Sequence, residues 1–363
     1  MSIQNLISAK AELTDGGLPA EPIVLSTRIR LARNLNAHWF PGRASTDQAL
    51  GVYKDCVDAL EKLDALKQSY ILDIAQMENL SRQVLVERRL ISRELTEAGE
   101  GAGVVISRNQ HLSVMVNEED HLRLQVVRSG FNFRKTWAEI NAVDSELENH
   151  LDYAFSHDFG YLTACPTNLG TGMRASAMLH LPGLVMGEHM EKVVRMVNQL
   201  GLAVRGCFGE GSEATGSIFQ ISNQQTLGEC EDAIINRLIN ILHAIIEQEY
   251  NARGVLLEQK TATVFDKIGR AYGVLTHAHM LSSEEAMAWL SLMRLAVDFG
   301  MLPDDSRCII DRLMMETQPG HIQYAAQSEI EPEKRDVTRA RIIREHLRAL
   351  PDLNFDIRKS EKN

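Results

Sequence analysis

The middle of this 363-residue chain contains several strand-forming segments. Short runs rich in β-branched residues, bounded by turn-forming residues, predict strands, and they occur at residues 104–106, 112–116, 122–127, 162–165, 202–205 and 217–221. The loop at residues 108–111 predicts a hairpin, and strands joined by hairpins pair in antiparallel fashion. The pattern therefore predicts an α+β fold, with an antiparallel β-sheet flanked by helices rather than a doubly wound parallel sheet.

Helical patterns dominate the rest of the chain. One long pattern covers residues 226–252, a short strand is predicted around Val255, and the sequence beyond is almost entirely helical. A serine before an apolar helical stripe is a common N-cap, so Ser282 is predicted to open one of these helices. We predict two domains, an α+β domain over residues 1–255 and a helical C-terminal domain over residues 256–355.

The composition excludes several classes of function. The formal net charge of −11 argues against a general nucleic-acid binder, because such proteins carry excess Lys and Arg. The N-terminal residues do not resemble a signal peptide, and no apolar run approaches the roughly 18 residues that span a membrane. The five cysteines contain no C-x-x-C pair, which disfavours a disulfide framework and a structural zinc site. We therefore expect a cytoplasmic protein with no membrane contact, no direct nucleic-acid binding and no dedicated metal site.

If this chain binds a nucleotide, its phosphate-binding site differs from those of the common nucleotide-binding motifs. The sequence has neither a G-x-x-x-x-G-K-[ST] loop nor the H-R-D and D-F-G motifs of protein kinases. Guanidinium groups are an alternative, because each offers paired planar donors to phosphate oxygens and stays charged. Converging arginines are therefore the candidates for a phosphate site.

Three segments carry a family resemblance, and they occur in the family's order. Residues 26–30 read STRIR, residues 117–123 read NEEDHLR, and residues 165–174 read CPTNLGTGMR. Together they closely resemble the active-site signature of the phosphagen (guanidino) kinases. The resemblance implies a phosphagen-kinase or glutamine-synthetase-like catalytic domain that uses ATP and Mg²⁺.

The resemblance also implies an ATP site. Its phosphate ligands would be Arg28, Arg30, Arg123, Arg174 and Arg205. The full set of implied ATP-binding residues is Ser26, Thr27, Arg28, Ile29, Arg30, Arg89, Arg123, Arg174, Ala175, Ser176, Ala177, Met178, Arg205, Gly206, Cys207, Phe208 and Gly209. One position departs from the family pattern, because Arg89 stands where the family generally has a histidine near the base.

The catalytic candidates follow from the chemistry of the acceptor. A guanidinium nitrogen is a poor nucleophile and stays protonated to very high pH, so its phosphorylation needs carboxylates that orient it and remove a proton. The resemblance assigns Glu119 as the base, Glu210 as a second carboxylate, with Glu213 an alternative in the same loop, and Cys165 as a thiolate beside the substrate.

Two features favour one branch of the family. Metabolic guanidino kinases carry a helical domain before their arginine pair, whereas Arg28 and Arg30 come early here, and we expect a more open cleft as a result. The C-terminal region contains R-D-x-x-R-A, with Arg335, Asp336, Arg339 and Ala340. This arrangement resembles the bacterial protein-arginine kinases of the McsB type, in which the motif is a phosphoarginine receptor site with an allosteric role.

The sequence thus predicts an ATP-dependent protein-arginine kinase that acts on protein substrates bearing arginine, which are expected to be basic. Two alternatives stay open, a small-molecule guanidino kinase and a catalytically silent phosphoarginine-binding adaptor. The resemblance further implies a homodimer, a McsA-type zinc-binding activator, and delivery of marked proteins, including a heat-shock repressor, to a Clp protease in a stress response.

Overall fold

The computed structural model of the protein describes residues 3–9, 11–15, 17, 20–206 and 215–356. Its strands are β1 (Val24–Arg33), β2 (Tyr70–Asp73), β3 (Gly103–Ile106), β4 (Leu112–Val116), β5 (Leu122–Ser129), β6 (Phe155–Ser156), β7 (Gly160–Tyr161), β8 (Met173–His180), β9 (Leu202–Gly206) and β10 (Ile218–Asn223). An eight-stranded sheet has the order β2-β3-β4-β5-β1-β8-β10-β9, and its neighbouring strands are antiparallel. The predicted antiparallel sheet, including the β3–β4 hairpin, is confirmed.

Helices precede, flank and follow this sheet. They are α1 (Ile3–Ser8), α2 (Glu12–Asp15), α3 (Thr46–Leu60), α4 (Asn79–Glu87), α5 (Arg93–Thr96), α6 (Phe133–Glu148), α7 (Pro182–Met186), α8 (Met190–Gln199), α9 (Glu231–Gln259), α10 (Thr261–His277), α11 (Ser283–Asp298), α12 (Ser306–Glu316), α13 (Pro319–Ala325) and α14 (Pro332–Leu347). Within the described residues, no helix combines the length and the apolar composition that crossing a membrane requires.

One face of the sheet forms the main hydrophobic core. Ile29 and Leu31 of β1 are fully buried in a cluster that includes residues of α6 and α9, whereas Arg28 and Arg30, which alternate with them, are only partly buried. Alternate residues of a strand point to opposite faces. Each buried apolar side chain contributes roughly 1.5–3 kcal/mol, and a slip of one residue would bury the arginines instead. The apolar half of β1 therefore fixes the register that presents its arginines on the other face.

The C-terminal helices pack against one end of the sheet. Met178 of β8 and Ile218 of β10 are buried in the same hydrophobic cluster as side chains of α10, α11, α12 and α14. Gly216 precedes β10 with φ +67°, and a Cβ there would lie 2.8 Å from the carbonyl oxygen of Met287 on α11. A glycine therefore lets α11 approach the sheet closely. The predicted domain boundary after residue 255 lies inside α9, and α10 begins at Thr261.

Two predicted strands are wrong. The segment around Val255 is helical, because Ala252 and Leu256 are buried on one side of α9 while Val255 is exposed. The predicted strand at residues 162–165 is irregular chain that follows β7. There the backbone N–H of Ala164 donates to the Asp120 carboxylate instead of to a neighbouring strand. A side-chain acceptor has replaced the strand partner.

The start of α11 agrees with the sequence. The side chain of Ser282 accepts a hydrogen bond from the backbone N–H of Glu285, which is the geometry of an N-cap. Glu284 and Glu285 lie in the first turn, where negative charge is stabilised by the helix dipole. The predicted N-cap is confirmed.

Candidate functional site

The pairing of β1 with its neighbours brings several of the predicted arginines to one face of the sheet. Arg30 lies opposite Arg174 on β8, and Ala32, two residues further along β1, lies opposite Arg123 on β5. Arg28 is two residues from Arg30 in the other direction, so it shares the same face. Four arginines from three strands that are distant in sequence are therefore neighbours, and this face is called the arginine face below.

The same register extends to β9. Ser26 lies opposite Met178 on β8, Met178 lies opposite Gln220 on β10, and Gln220 lies opposite Arg205. Gln220 also accepts a hydrogen bond of 3.1 Å from Nη2 of Arg28. The fifth predicted arginine is thus on the arginine face as well.

The arginine face concentrates positive charge. Burial and the nearby charges of Arg89, Arg174 and Arg123 lower the pKa of Arg28 to about 9. Burial is the largest cause that lowers the pKa of Arg30, and repulsion by Arg28, Arg123 and Arg174 lowers it further. Among the described residues, neither Arg28 nor Arg30 forms an ion pair with a carboxylate. Clustered, partly buried cations are costly unless an anion joins them, so the face fits a polyanion such as a triphosphate.

Two consecutive glutamates lie at one end of this face, in different environments. Nη1 of Arg123 donates to Glu118 at 2.6 Å, and Nη2 donates to Glu119 at 3.0 Å. Glu118 also accepts from the hydroxyl of Ser92, and its side chain is only 1% exposed. The side chain of Glu119 is 43% exposed, and burial of part of it raises the pKa of its carboxyl, although Arg123 opposes the shift. Glu119 is therefore the carboxylate that a substrate can reach.

Asp120 connects the glutamate loop to the cysteine loop. It is fully buried, and its Oδ1 accepts hydrogen bonds from Nδ2 of Asn34 at 2.6 Å and from the backbone N–H of Ala164 at 2.7 Å. Ala164 immediately precedes Cys165. The carboxylate therefore fixes the position of Cys165 relative to Glu119, and sequence reasoning missed this role. The only available signal was that Asp120 lies within the N-E-E-D motif.

Buried hydrogen bonds also hold the two ends of the glutamate loop. Asn117 adopts φ +54° and donates from Nδ2 to the carbonyl oxygen of Gly101 at 2.7 Å. His121 accepts at Nδ1 from the backbone N–H of Leu35 at 3.0 Å and donates from Nε2 to the carbonyl oxygen of Trp39 at 3.0 Å. Burial lowers the pKa of His121 to about 4, so the imidazole is neutral at pH 7.

Cys165 is a partly buried free thiol at the start of a short 3₁₀ helix, Pro166–Asn168. Its Sγ lies 3.1 Å from Oγ1 of Thr167, and its carbonyl oxygen accepts a hydrogen bond of 2.8 Å from the hydroxyl of Thr163. These contacts leave the sulfur accessible and the backbone fixed. That is the arrangement a thiol needs if it is to contact a bound substrate.

The glycines of the G-T-G segment are needed for packing. Gly170 has φ +109°, and a Cβ there would lie 2.5 Å from the carbonyl oxygen of Thr226. Gly172 has φ +65°, and a Cβ there would lie 2.6 Å from the carbonyl oxygen of Ala32 on β1. Both close approaches are to the protein's own backbone. The glycines thus tie the cysteine loop to the strand that carries Arg28 and Arg30.

A cavity of about 390 Å³ lies beside the arginine face. The predicted ATP-site residues that line it are Ser26, Arg28, Arg30, Arg89, Ser176, Met178 and Arg205. Helices α11 and α12 form part of the opposite wall, which sequence reasoning did not anticipate. Glu119 and Cys165 do not line this cavity. Arg123, which donates to Glu119, lies on the arginine face but is also outside the lining of the cavity.

The remaining predicted ATP-site residues are placed differently. Ile29, Ala175 and Ala177 are buried in the core on the opposite face of the sheet, and the hydroxyl of Thr27 donates to the carbonyl oxygen of Gly130 at 2.7 Å. Only their backbones are close to the arginine face. Gly206 ends β9. Five predicted site residues lie outside the described part of the chain: Cys207, Phe208, Gly209, Glu210 and Glu213.

Arg89 lines the cavity from the turn after α4. It adopts φ +61°, which is unusual for a residue with a Cβ, and its carbonyl oxygen accepts a hydrogen bond of 2.7 Å from Nε2 of Gln125. Gln125 lies opposite Arg30 on the arginine face. The turn is therefore fastened to the sheet, and this holds Arg89 at the cavity.

The R-D-x-x-R-A motif is on α14, and no residue of the motif lines this cavity. Arg339 is 1% exposed and donates to the carbonyl oxygens of Thr317 at 2.9 Å and Leu281 at 2.7 Å. Arg335 and Asp336 are partly exposed, and Ala340 is fully buried. Arg339 therefore links α14 to the segments that contain Thr317 and Leu281, whereas Arg335 and Asp336 are accessible to solvent.

Metal ligands do not cluster in the described part of the chain. No group of three or more His, Cys, Asp or Glu side chains is placed there so that it could hold a metal ion.

Two protein-family models match this chain. Residues 51–252 match the model described as ATP:guanido phosphotransferase, C-terminal catalytic domain, and residues 261–358 match the model of the protein-arginine kinase McsB C-terminal domain. Proteins called protein-arginine kinase are similar over most of their length. The one from Halothermothrix orenii is 43% identical over 96% of this chain and 99% of its own, and the one from Bacillus subtilis is 42% identical over 91% of both.

The chain belongs to the McsB-type protein-arginine kinase family. The family's catalytic part is that of an ATP-dependent guanidino phosphotransferase. A crystal structure of lombricine kinase is similar in fold, with a TM-score of 0.58 and 24% identity over 68% of this chain and 73% of that one. The duplicated taurocyamine kinase from Schistosoma mansoni has a TM-score of 0.57 and 25% identity, covering 71% of this chain and 36% of that one. The phosphagen-kinase fold is thereby confirmed.

The family match does not include Arg28 and Arg30, whereas the strand register does relate them to the matched part of the chain. The matched catalytic range begins at residue 51, after β1 with Arg28 and Arg30. Nevertheless β1 is a central strand of the sheet, between β5 and β8. Sheet geometry thus places Arg28 and Arg30 beside Arg123 and Arg174, which lie within the matched range.

Proposed function

We propose that this protein transfers the γ-phosphoryl group of ATP to the side chains of arginines in other proteins. The observation that carries this proposal is the juxtaposition of five arginines on one sheet face with an accessible glutamate, Glu119, at one end of it. The arginines provide charge for a triphosphate, and the glutamate provides a base for a guanidinium. The relatives that match almost the whole chain are called protein-arginine kinases, which supports a protein acceptor.

The transfer step follows from these positions. A terminal guanidinium nitrogen of the substrate attacks the γ-phosphorus and forms a P–N bond, while the bond from the γ-phosphorus to the bridging oxygen breaks and ADP leaves. Glu119 accepts the proton that the attacking nitrogen loses. Arg123 donates to Glu119, so the base is held beside a cation that also belongs to the phosphate site. Positioning and charge neutralisation of this kind supply most of the catalysis in phosphoryl transfer.

Two further groups complete the proposed guanidinium site. The thiolate of Cys165 would attract the substrate cation, and its position is set through the hydrogen bond between Ala164 and Asp120. Glu210 would be a second carboxylate, as the family signature suggests. Both groups would orient the acceptor nitrogen toward the phosphorus, which raises the rate by proximity.

Magnesium is proposed to enter with the nucleotide. The described residues offer arginine donors at the cavity and no cluster of metal ligands. Guanidinium groups bind phosphate oxygens and do not ligate cations, so Mg²⁺ would be held by phosphate oxygens and waters. When bound, Mg²⁺ would neutralise part of the phosphate charge, and the protein's own contribution is the arginine face.

The R-D-x-x-R-A motif is proposed to be a phosphoarginine receptor that controls the kinase. Arg335 is partly exposed and makes one long hydrogen bond, 3.3 Å, to Oε1 of Gln323, so it is available to a phosphate. Asp336 would accept from the guanidinium of the ligand. Titration of the protein with phosphoarginine in a calorimeter tests this site, and Arg335→Gln should lower the affinity at least tenfold while Arg341→Gln on the exposed side of α14 leaves it unchanged.

The wider biology is proposed from the family resemblance alone. It comprises a homodimer, activation by a McsA-type zinc-binding protein, and delivery of marked proteins to a Clp protease during stress in the cytoplasm, with a heat-shock repressor among the substrates. The net charge of −11 would favour basic protein substrates through long-range attraction.

A transfer assay with three acceptors tests the proposed activity. The protein is incubated with γ-labelled ATP and Mg²⁺ and with a basic protein, free arginine or creatine, and the acid-labile product is counted. We expect label in the basic protein. Label only in free arginine or creatine would instead indicate a small-molecule guanidino kinase. Phosphoarginine binding without any transfer would indicate an adaptor.

A further inference from the structure

The cavity beside the arginine face has an apolar end. Met178 and Ile218 line it from the sheet, and Met287 of α11 and Met314 and Met315 of α12 line it from the C-terminal helices. All but Met315 belong to the hydrophobic cluster of the C-terminal region, and Met315 is partly buried. Thioether side chains are flexible and polarisable and make favourable contacts with aromatic rings. This end of the cavity therefore fits a flat aromatic group.

The direction of the arginine face determines which part of a nucleotide reaches this end. Along β1, the row that contains Arg123 lies at Ala32, and the row that contains Met178 lies at Ser26. Six residues of extended strand separate these rows by roughly 20 Å. A nucleotide whose γ-phosphate lies near Arg123 would extend past Arg28 toward Ser26. Its base would then lie among the methionines.

A buried arginine on α11 supplies a second observation. Arg294 is fully buried and lines the same cavity. Its Nε donates to Asp311 at 2.8 Å, and its Nη1 lies 3.3 Å from Nδ1 of His180. Its Nη2 is buried without a hydrogen-bond partner among the described residues. A buried donor without an acceptor destabilises the protein, and a purine ring nitrogen would provide an acceptor.

We propose that α11 and α12 form the base-binding wall of the nucleotide site, with the purine packed against Met287, Met314 and Met315 and within reach of Arg294. This inference rests on the proposed use of ATP but not on the identity of the phosphoryl acceptor. The C-terminal helices would then contact the nucleotide directly, and not only a regulatory ligand. Nucleotide binding and the packing of these helices on the sheet would stabilise each other.

Binding of ATP and of inorganic triphosphate distinguishes the base from the phosphates. Calorimetric titration of the full chain with each ligand gives both affinities. Met315→Ala should weaken ATP binding about three- to tenfold, because part of an apolar contact is lost, and should leave triphosphate binding within about twofold. Met280→Ala is the control, because Met280 is exposed and outside the cavity lining, and it should change neither affinity. Unchanged ATP binding in Met315→Ala, or an equal loss for both ligands, would overturn the proposal.

A second measurement uses the unaltered protein. Cys308 of α12 is partly buried and lines the same cavity, so its alkylation rate, followed by peptide mass spectrometry, reports on occupancy there. We expect ATP to slow alkylation of Cys308 at least fivefold more than saturating triphosphate does. Equal protection by both ligands would overturn the proposal. A protein that passes both tests but phosphorylates no protein would refute the proposed function and leave the base-binding wall intact.

Discussion

Replacing Glu119 by glutamine separates catalysis from binding. Glutamine keeps the shape of the side chain and an oxygen that can accept from Arg123 at about the observed 3.0 Å, but it cannot take a proton. Loss of a general base costs roughly 10²–10⁴-fold in rate, or about 3–5 kcal/mol of activation free energy. Because the carboxylate is 43% exposed, stability should change by less than about 0.5 kcal/mol. The assay is kcat for protein phosphorylation, together with the Kd for ATP, which should stay within about threefold.

Glu118 is the matched comparison. It is buried and accepts from both Arg123 and Ser92, so Glu118→Gln should lower the free energy of unfolding by about 1.5–3 kcal/mol and reduce kcat less than Glu119→Gln does. The pH profile gives a further check. Burial raises the pKa of Glu119, and the base must be ionised, so kcat should fall on acidification at a pH above the range of an ordinary glutamate. A Glu119→Gln enzyme with nearly full kcat would refute the assignment.

Three other perturbations have defined outcomes. Gly170→Ala would place a Cβ 2.5 Å from the carbonyl oxygen of Thr226 at φ +109°, so urea denaturation should show a loss of at least about 2 kcal/mol, whereas Gly99→Ala, with open space around it, should show little change. Asp120→Ala removes the acceptor of two buried donors, which should cost about 2–6 kcal/mol of stability and lower kcat in the remaining folded enzyme; unchanged kcat would contradict its positioning role. The pKa of His121 is lowered to about 4 in the folded protein, below its unfolded value of about 6.5. The contribution of His121 to the free energy of unfolding is therefore complete above pH 6.5 and is lost as the pH falls toward 4. His121→Gln should flatten this part of the profile of unfolding free energy against pH, and an unchanged profile would contradict the assignment of a neutral imidazole.

The sequence predicted the type of fold because periodicity is a local property. The hairpin at residues 108–111 and the N-cap at Ser282 were both correct. The strand predicted around Val255 was wrong, because a single β-branched residue cannot show whether a sheet partner exists. The strand predicted at residues 162–165 was wrong for a similar reason. The backbone N–H of Ala164 donates to the buried carboxylate of Asp120 and not to a neighbouring strand.

The candidate site was accessible to sequence reasoning only in part. The arginines were identified by their motifs, but their common face depends on the register of β1 with β5 and β8, which no local pattern specifies. The anchoring role of Asp120 requires Asn34, a residue 86 positions away in the chain. The proposed base-binding wall depends on how α11 packs on the sheet at Gly216, which is a property of tertiary structure.

The central claim is that the arginine face and Glu119 phosphorylate arginine side chains of proteins. Its most direct test is mass spectrometry of a basic protein after incubation with this enzyme, ATP and Mg²⁺, under neutral conditions that preserve the acid-labile P–N bond. We expect phosphoryl groups on arginine residues of the substrate with the wild-type protein and none with Glu119→Gln. A folded, ATP-binding wild-type protein that leaves every arginine unmodified, or that modifies serine, threonine or tyrosine instead, would contradict the claim.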